Sequence, residues 1–408
     1  MKKFQIKLLR LRWRKRKAKE EKQKQSVRTS IKDLPSEISL AILNKLPVTS
    51  LFSLKLVCKA SSLLVSSLWV SHPTLTLRYQ ALQKNPYWLI LRTLPSSTNE
   101  PCTNNQLYLI DSWRVLRKFI HPKIEKKYKA GPILSCNGLL CLLYYKNKRG
   151  SSLDHYRAYL FNPLTGEHNF LLDPALPRVE GGESSRSGDM VWPKQFFGFG
   201  FDARALEYKL VRIVRFSPAD VRTYLQVEVF TLGRNGCRIY KIDSISTPFV
   251  CPHESSDVVV GGAIHWLCRD ENSARFDPRI ILSFDLFEEK FHQIPKPNCE
   301  FCEFRKISVL GGCLAVTGGF CRSYEVHIWV LKEYGVMESW TKEFVIREGS
   351  GRLYPLFLLN DGQVVMSCGS KGLCCYDPKE DGFNSYAELD QSIVPICHAC
   401  SLVSPFGL

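Results

Sequence analysis

The stretch FNPLTGE, residues 161–167, follows a run rich in aromatic residues and begins with an aromatic residue followed by Asn in a turn. The same pairing of an aromatic residue with Asn or Asp recurs at Phe201-Asp202, Phe284-Asp285 and Tyr376-Asp377. The gaps between the Asn or Asp positions are 40, 83 and 92 residues, or one, two and two units of about 40 to 46, close to one four-stranded propeller blade. Over roughly 310 residues this spacing predicts about seven blades, with six or eight possible. Coincidental turns in an irregular β-sandwich are the alternative.

Short β-prone runs surround these turns. Each has about 4–9 residues and is bounded by Gly, Pro, Asn and Asp, and no long helical pattern lies between them. The candidate strands are GLLCLLYY (138–145), RAYLF (157–161), YKLVRIVRF (208–216), LQVEVFTL (225–232), RIILSFDL (279–286), EVHIWVL (325–331) and VVMSCG (364–369). The sequence therefore predicts a mainly β fold.

A helical pattern precedes the β region in DLPSEISLAILNKLPVTSLFSLKLVCK, residues 33–59. Asp33 suits an N-cap and Pro35 the first helical turn, and the apolar residues Leu34, Ile38, Ile42 and Leu46 recur every four residues. A second helix is predicted to begin near Leu51, and a third over residues 57–71. Charged residues and Pro47 exclude a membrane span. Because so small a module cannot cover all its apolar positions, we expect either a partner surface or packing against the chain's own β domain.

The positive charge of the chain is concentrated at its N-terminus. Residues 1–30 contain 13 Lys or Arg and 2 acidic residues, whereas the rest contains 43 and 37, so +11 of the net +17 lies in this arm. A frayed, solvated helix, a nuclear-import signal and a polyanion-binding patch are the interpretations of such an arm. Lys7 and Arg10 interrupt any secretory signal, so we expect the nucleus, the cytoplasm or both.

No catalytic or metal-binding pattern stands out. The 16 cysteines are expected to be free thiols in a reducing compartment, and the CxxC pairs Cys299/Cys302 and Cys397/Cys400 lack the second half of a zinc site. FGFGFDA (197–203) has no third glycine for a nucleotide cradle and predicts a strand and its turn. His265 is expected to be a packed or edge histidine, and the pair Glu288/Glu289 solvated charge. We therefore expect no enzyme activity, cofactor or metal.

Residues 33–59 resemble the F-box family, whose pattern stands here as LPSEISLAILNKLP (34–47), Ser50-Leu51 and VCK (57–59). The resemblance implies a three-helix module that binds the Skp-type adaptor of a cullin-based ubiquitin ligase. The adaptor-binding positions that it implies are Leu34, Pro35, Ile38, Leu43, Leu46, Pro47, Leu51, Leu54, Val57 and Cys58. Ser61 stands where the family often has Trp, so Leu63, Leu64 or Trp69 would have to replace that side chain in the packing of the third helix.

The β region, from about residue 130 to the C-terminus, is similar to the F-box-associated domain of plant F-box proteins. The landmarks that carry this resemblance are SCNGLLCL (135–142), FNPLTGE (161–167), FGFGFD (197–202), GGAIHWL (261–267), SFDLFEEKFHQIP (283–295), IWVLKEYGVMESWTKEF (328–344), PLFLLNDGQVV (355–365) and SLVSP (401–405). Gly261 stands where the family more often has Asn, a change expected to alter one turn and little else.

These features predict four segments: a basic arm (1–30), an F-box module (31–75), a connecting segment (76–106) and a β-propeller-like domain (107–408). The leading hypothesis is a non-catalytic subunit of an SCF-type ubiquitin ligase, which binds the adaptor, and through it a cullin scaffold, with its helices. The β domain would hold an unidentified protein target for ubiquitination and degradation, with the polar insertion 177–193 as a candidate target loop. Neither a membrane nor nucleic acid is the expected partner, although a nuclear nucleic-acid-binding protein that uses the arm is the alternative.

Overall fold

The computed structural model describes most of the β domain and the first part of the helical region. The described residues are 34–43, 45–57, 59, 62, 63, 65, 87–93, 106–111, 114–120, 128–146, 155–171, 194–216, 224–233, 236–242, 250–252, 254–270, 280–299, 302–320, 325–347, 353–368, 372–387 and 393–405. The chain divides into two compact units, Met1–Leu68 and Trp69–Leu408. The basic arm and the insertion 177–193 lie outside the described residues.

The first unit contains two short helices, α1 (Ser36–Leu43) and α2 (Val48–Val57). Each follows a Leu-Pro pair whose proline carbonyl accepts a hydrogen bond from the first turn, from Ser39 N to Pro35 O at 3.0 Å and from Leu51 N to Pro47 O at 3.1 Å. Proline suits this place because its missing N–H has no partner in a first turn. The two helices that were predicted first are thus confirmed, while most of the predicted third helix lies outside the described residues.

The second unit consists of antiparallel strands, among which the candidate strands of the sequence analysis are all found. The strands before residue 245 are β1 (Tyr87–Thr93), β2 (Gln106–Asp111), β3 (Arg114–Ile120), β4 (Lys129–Cys136), β5 (Leu139–Lys146), β6 (His155–Phe161), β7 (His168–Phe170), β8 (Lys194–Asp202), β9 (Glu207–Phe216), β10 (Tyr224–Gly233) and β11 (Gly236–Ile242). Those after it are β12 (Val250–Pro252), β13 (Val259–Val260), β14 (Ala263–Asp270), β15 (Ile280–Asp285), β16 (Phe291–Ile294), β17 (Cys302–Leu310), β18 (Cys313–Phe320), β19 (Val326–Leu331), β20 (Trp340–Ile346), β21 (Tyr354–Leu358), β22 (Val364–Ser367), β23 (Leu373–Asp377), β24 (Gly382–Ala387) and β25 (Ile393–Ala399).

The described strands form six sheets, which we number as the blades of a propeller. Blade 1 joins β1–β3 to β25, and blades 2 to 6 are β4–β7, β8–β11, β12–β16, β17–β20 and β21–β24. Strands β4, β8, β14, β17, β21 and β25 contact one another in this order and back to β4, so the sheets close into a ring. The ring joins the two ends of the unit, because β25 pairs along β1 from Tyr87 opposite Ala399 to Thr93 opposite Ile393. Strand β1 lies inside the range 76–106 that the sequence assigned to a connecting segment.

The aromatic-Asx pairs form the predicted turns, but they do not mark a single blade position. Asn162, Asp202, Asp285 and Asp377 each accept a backbone N–H two residues ahead, at 2.8–2.9 Å. Three of these turns join the third and fourth strands of a blade, whereas Asp202 joins the first two strands of blade 3. The predicted unit of 40 to 46 residues is therefore too short. Six blades over residues 87–399 take about 52 residues each, which gives one blade fewer than the seven expected.

The two ends of the propeller differ in their connections. Within each blade we count the strands from the axis of the propeller outward, from strand 1 to strand 4. The turns between strands 1 and 2 and between strands 3 and 4 lie at one end of the propeller, here called the tight-turn face. The opposite end, the long-connection face, holds the strand ends that are joined by the connections between strands 2 and 3 and between blades.

Gly261 in a tight turn does more than the sequence analysis expected. Gly261 and Gly262 have φ of +61° and +80°, a left-handed conformation that glycine adopts without strain. A Cβ at position 261 would lie 2.7 Å from the ring of Tyr334 in blade 5. The Tyr334 hydroxyl in turn forms a 2.8 Å hydrogen bond with His265 Nε2 in blade 4. The glycine therefore allows a contact between blades as well as a turn.

Close packing also explains the glycines of FGFGFDA. Gly198 lies in β8, where a Cβ would lie 2.2 Å from Cζ2 of the fully buried Trp266. We expect Gly198→Ala to destabilise the propeller by about 1–3 kcal/mol, because the added methyl group would force the buried indole out of its packed position. Urea denaturation followed by tryptophan fluorescence measures this change. Gly382→Ala is the matched control, since its Cβ would have ordinary contacts at 3.7 Å; equal destabilisation by both variants would contradict the packing argument.

Candidate functional site

The predicted adaptor-binding residues divide by burial into two groups. Pro35, Ile38, Pro47 and Val57 are exposed, Leu34, Leu46 and Leu54 are half-buried, and Leu43 and Leu51 are buried. Cys58 lies outside the described residues. Val48 and Val65 of the same unit are also buried. The exposed group is therefore the part of the predicted set that is available to a partner in this conformation.

Ile42 extends this exposed apolar surface, although it was not among the predicted adaptor-binding residues. Its side chain is exposed and stands one helical turn after Ile38 in α1. The four-residue stripe in the sequence contained Ile42, so the signal for it was present. We call Pro35, Ile38, Ile42, Pro47 and Val57 the helical face. Leu63 is also exposed and so does not fill the place of the family's Trp, while Ser61, Leu64 and Trp69 lie outside the described residues.

Leu51 has a packing role that can be measured separately from binding. It is 1% exposed, whereas Leu56 on the same helix is 71% exposed. We expect Leu51→Ala to destabilise the module by about 2–5 kcal/mol, because it removes buried methyl groups and leaves a cavity. Leu56→Ala makes the same chemical change at the surface and should stay within about 0.5 kcal/mol of wild type. Amide hydrogen exchange in α1 and α2 measures both, and equal protection in the two variants would show that Leu51 is not a core residue.

A second candidate site is a cavity of about 500 Å³ on the axis of the propeller. Its walls come from β4, β17, β21, β25 and the segment 254–259. Blade 3 contributes no wall because this segment lies along β8: Ser256 N donates to Phe197 O at 2.8 Å, and Phe199 N donates to Ser256 O at 3.2 Å. The cavity thus has an irregular lining strand that carries its own polar side chains.

The charged residues that line the cavity are Glu254, Asp257 and Lys306. Asp257 Oδ2 accepts the backbone N–H of Ser135 on β4 at 2.8 Å, and burial raises the pKa of this carboxyl above its ordinary value. Lys306 Nζ is 2.5 Å from Glu254 Oε1 and lies 5.6 Å from the centre of the Tyr354 ring. The sequence offered no signal for this group, because its residues are distant along the chain.

A serine and a histidine also meet in the wall of the propeller. Ser135 Oγ is 3.0 Å from Nδ1 of the fully buried His398. Burial lowers the pKa of His398 to about 3, which makes its imidazole a weak base. None of the described residues forms a hydrogen bond with Nε2 of His398, so no carboxylate in that part of the chain orients the ring. The pair therefore lacks the orienting group of a nucleophile-base-acid arrangement.

The other residues that the sequence singled out are structural. His265 is fully buried, as expected for a packed histidine, and burial lowers its pKa to about 4. Glu289 is not simply solvated, because its carboxylate is 2.6 Å from Nζ of the buried Lys209 and thereby joins blades 3 and 4. Glu288 does face solvent beside Lys290. Residues 209 and 289 come together only in the folded ring, so the sequence could not show their pairing.

The cysteines differ in part from the expectation of free thiols. Cys368 and Cys374 form a disulfide across the β22–β23 connection, and Cys299 of the first CxxC pair is also disulfide-bonded. Cys136, Cys141 and Cys397 are free thiols whose pKa values are raised by burial, which makes them unreactive. Within the described part of the chain, no group of three or more His, Cys, Asp or Glu side chains is arranged to hold a metal ion. No helix among the described residues is long and apolar enough to cross a membrane.

The chain combines a short helical module that has an exposed apolar face with a β-propeller that has a central cavity, here also called the channel. Both features are typical of proteins that bind other molecules. The F-box-like family matches residues 31–72, and the F-box associated beta propeller domain family matches residues 97–404. The chain therefore belongs to the plant-type F-box proteins that carry an F-box associated β-propeller domain.

Curated relatives from Arabidopsis thaliana agree with this assignment. F-box protein At3g07870 is 26% identical over 402 residues, which cover 86% of each chain. F-box/kelch-repeat protein At3g23880 is 25% identical and covers 86% of this chain and 90% of its own. F-box protein CPR1 is 30% identical over 209 residues, 46% of this chain and 48% of that one. Among solved structures, a microbial sialidase is 12% identical, with a TM-score of 0.41 over 71% of this chain and 67% of its own, a level that carries no functional argument.

Proposed function

We propose that the protein is the non-catalytic substrate-recognition subunit of an SCF-type ubiquitin ligase. The observation that carries this proposal is the helical face, which leaves Ile38 48% and Val57 72% exposed within the residues that match the F-box-like family. Removing an aliphatic side chain fully from water contributes about 1.5–3 kcal/mol. A Skp-type adaptor that covers this face would gain that energy at several positions and connect the chain to a cullin scaffold.

In this proposal the propeller holds the protein target, and the long-connection face is the part of it that meets the target. Loops on a rigid scaffold commonly carry binding function, and this face has the longest connections together with the open side of the channel. Such a subunit needs no acid, base or nucleophile of its own. Its contribution to the reaction is proximity, because target and ubiquitin-transfer machinery are held in one assembly at high effective concentration. The expected location is the nucleus, the cytoplasm or both.

The test compares the wild type with a variant that lacks residues 31–72. Both carry an affinity tag and are otherwise full-length, and bound proteins and their ubiquitination are identified by mass spectrometry. We expect adaptor and cullin to purify with the wild type alone, and a set of proteins to bind both chains but to gain ubiquitin only with the wild type. Absence of adaptor from the wild-type sample would contradict the proposal. Bound material that is lost when residues 1–30 are deleted, and also when salt is added, would instead favour nucleic-acid binding by the arm.

A further inference from the structure

The propeller cavity is lined by one more carboxyl group than ammonium group, and a bound cation would oppose the effect of burial, which raises the pKa of Asp257. Two carboxylates and one ammonium group line it, and the ammonium of Lys306 is already paired with Glu254 at 2.5 Å. Asp257 uses Oδ2 to accept the N–H of Ser135, and no hydrogen bond from another described residue reaches its Oδ1. His398, whose pKa is lowered to about 3 by burial, adds no positive charge at neutral pH. A cation is therefore the group that this cavity lacks.

A second polar group in the cavity also lacks a partner. Ser308 is 9% exposed and lines the cavity, and none of the described residues forms a hydrogen bond with its Oγ. It stands two residues after Lys306 on β17, so both side chains point to the same side of the strand, toward the channel. A buried hydroxyl without a partner costs free energy of about 1–3 kcal/mol, which a ligand that donates a hydrogen bond would recover.

Most of the remaining wall is apolar. Ile133, Val258, Leu356 and Ile396 are among the residues that line it. A volume of about 500 Å³ lies in the range of pockets that hold small ligands or a few residues of a peptide. Lysine and arginine side chains combine an aliphatic stem with a charged end. The stem suits the apolar walls of the cavity, and the charged end suits the carboxyl group of Asp257. An acidic side chain would instead be repelled by the carboxyl groups of Asp257 and Glu254.

The channel opens toward the long-connection face. The inner strands run from that face to the tight-turn face, and Val394, the second residue of β25, lines the cavity while its side chain stays exposed. Glu254 lies on the same side, before Asp257 along the lining segment, and is also exposed. We propose that the channel binds one lysine or arginine side chain of a partner polypeptide, with Asp257 Oδ1 as its acceptor. This inference rests on the proposed function in assigning that polypeptide to the target.

The test uses blocked tripeptides and the full-length chain in calorimetric titrations. Ac-Ala-Lys-Ala-amide is compared with its norleucine counterpart, and Ac-Ala-Arg-Ala-amide with its citrulline counterpart, so that each pair differs in charge at nearly constant shape. We expect each cationic peptide to bind at least tenfold more tightly than its neutral counterpart. Equal binding within a pair, or preference for a glutamate peptide, would overturn the inference.

Three variants make the result specific to the cavity. Asp257→Asn retains an acceptor for Ser135 N–H and should abolish the preference for the cation, whereas Glu288→Gln, at an exposed turn on the other face, should leave it unchanged. Val394→Trp should weaken all four peptides by narrowing the opening. A preference that persists in Asp257→Asn would place the cation elsewhere and overturn the inference.

Adaptor binding is measured on the same samples. Adaptor binding without peptide binding would refute the channel site alone, and peptide binding without adaptor binding would refute the proposed function alone.

Discussion

The double variant Ile38→Glu, Val57→Lys is expected to bind a purified Skp-type adaptor at least 100-fold more weakly than wild type. Both side chains are exposed on the helical face. If adaptor contact buries them, their replacement removes about 1.5–3 kcal/mol at each position and also places charges in an apolar interface. A 100-fold loss corresponds to about 2.7 kcal/mol, which is less than the sum of these effects. Surface plasmon resonance with immobilised adaptor measures the change.

The two charges are chosen to leave the helices intact. Position 38 is in the first turn of α1 and position 57 is the last residue of α2, so a carboxylate at the first and an ammonium at the second both suit the helix dipole. Met337→Glu is the matched control, because Met337 is 45% exposed and lies in the propeller unit, against 48% for Ile38. We expect this control to bind like wild type. Affinity of the double variant within threefold of wild type would show that the helical face is not the adaptor site.

The fold was largely predictable because its signals are local. Each strand is a β-prone run bounded by turn residues, so runs such as YKLVRIVRF and LQVEVFTL marked β9 and β10 correctly. The number of blades was harder to predict from the sequence. The Asx turn at Asp202 forms the same hydrogen bond as the other three, but it joins the first two strands of its blade instead of the last two. Strand β1 was missed because its pairing partner β25 lies about 300 residues later, and no local pattern shows that pairing.

The sites were predictable only in part. The adaptor positions follow from short helices whose apolar stripe is visible in the sequence, yet the stripe does not show which members face inward. Leu51 and Ile38 are equally apolar in the sequence. Only the folded structure shows that Leu51 is buried and that Ile38 is exposed. The channel could not be foreseen, because Ser135, Asp257 and Lys306 come from three different blades. Residues so far apart along the chain meet only when the ring closes.

Burial of charge is a further property that the sequence concealed. In YKLVRIVRF the basic residues Lys209, Arg212 and Arg215 recur every three residues, so the spacing does not show which of them faces the core of a strand. Arg212 is nevertheless 1% exposed and lies directly opposite Glu228 on β10, which is fully buried. Arg212 Nη1 is 2.8 Å from Glu228 Oε2, and its Nε donates to Gln195 Oε1 at 2.9 Å. Burial lowers the pKa of Arg212, and the neighbouring Glu228 opposes that shift.

We expect Arg212→Met to destabilise the propeller by about 3–5 kcal/mol, because it leaves the Glu228 carboxylate buried without its partner. The double variant Arg212→Met, Glu228→Leu removes both charges and should recover most of that loss, since a buried ion pair gains little over well-packed apolar side chains of similar size. Urea denaturation of the two variants and of Glu228→Leu completes a double-mutant cycle. The expected result is a strong coupling between the two positions. Additive effects of the single substitutions would show instead that the two side chains stabilise blade 3 independently, and that the buried charge is compensated by other groups.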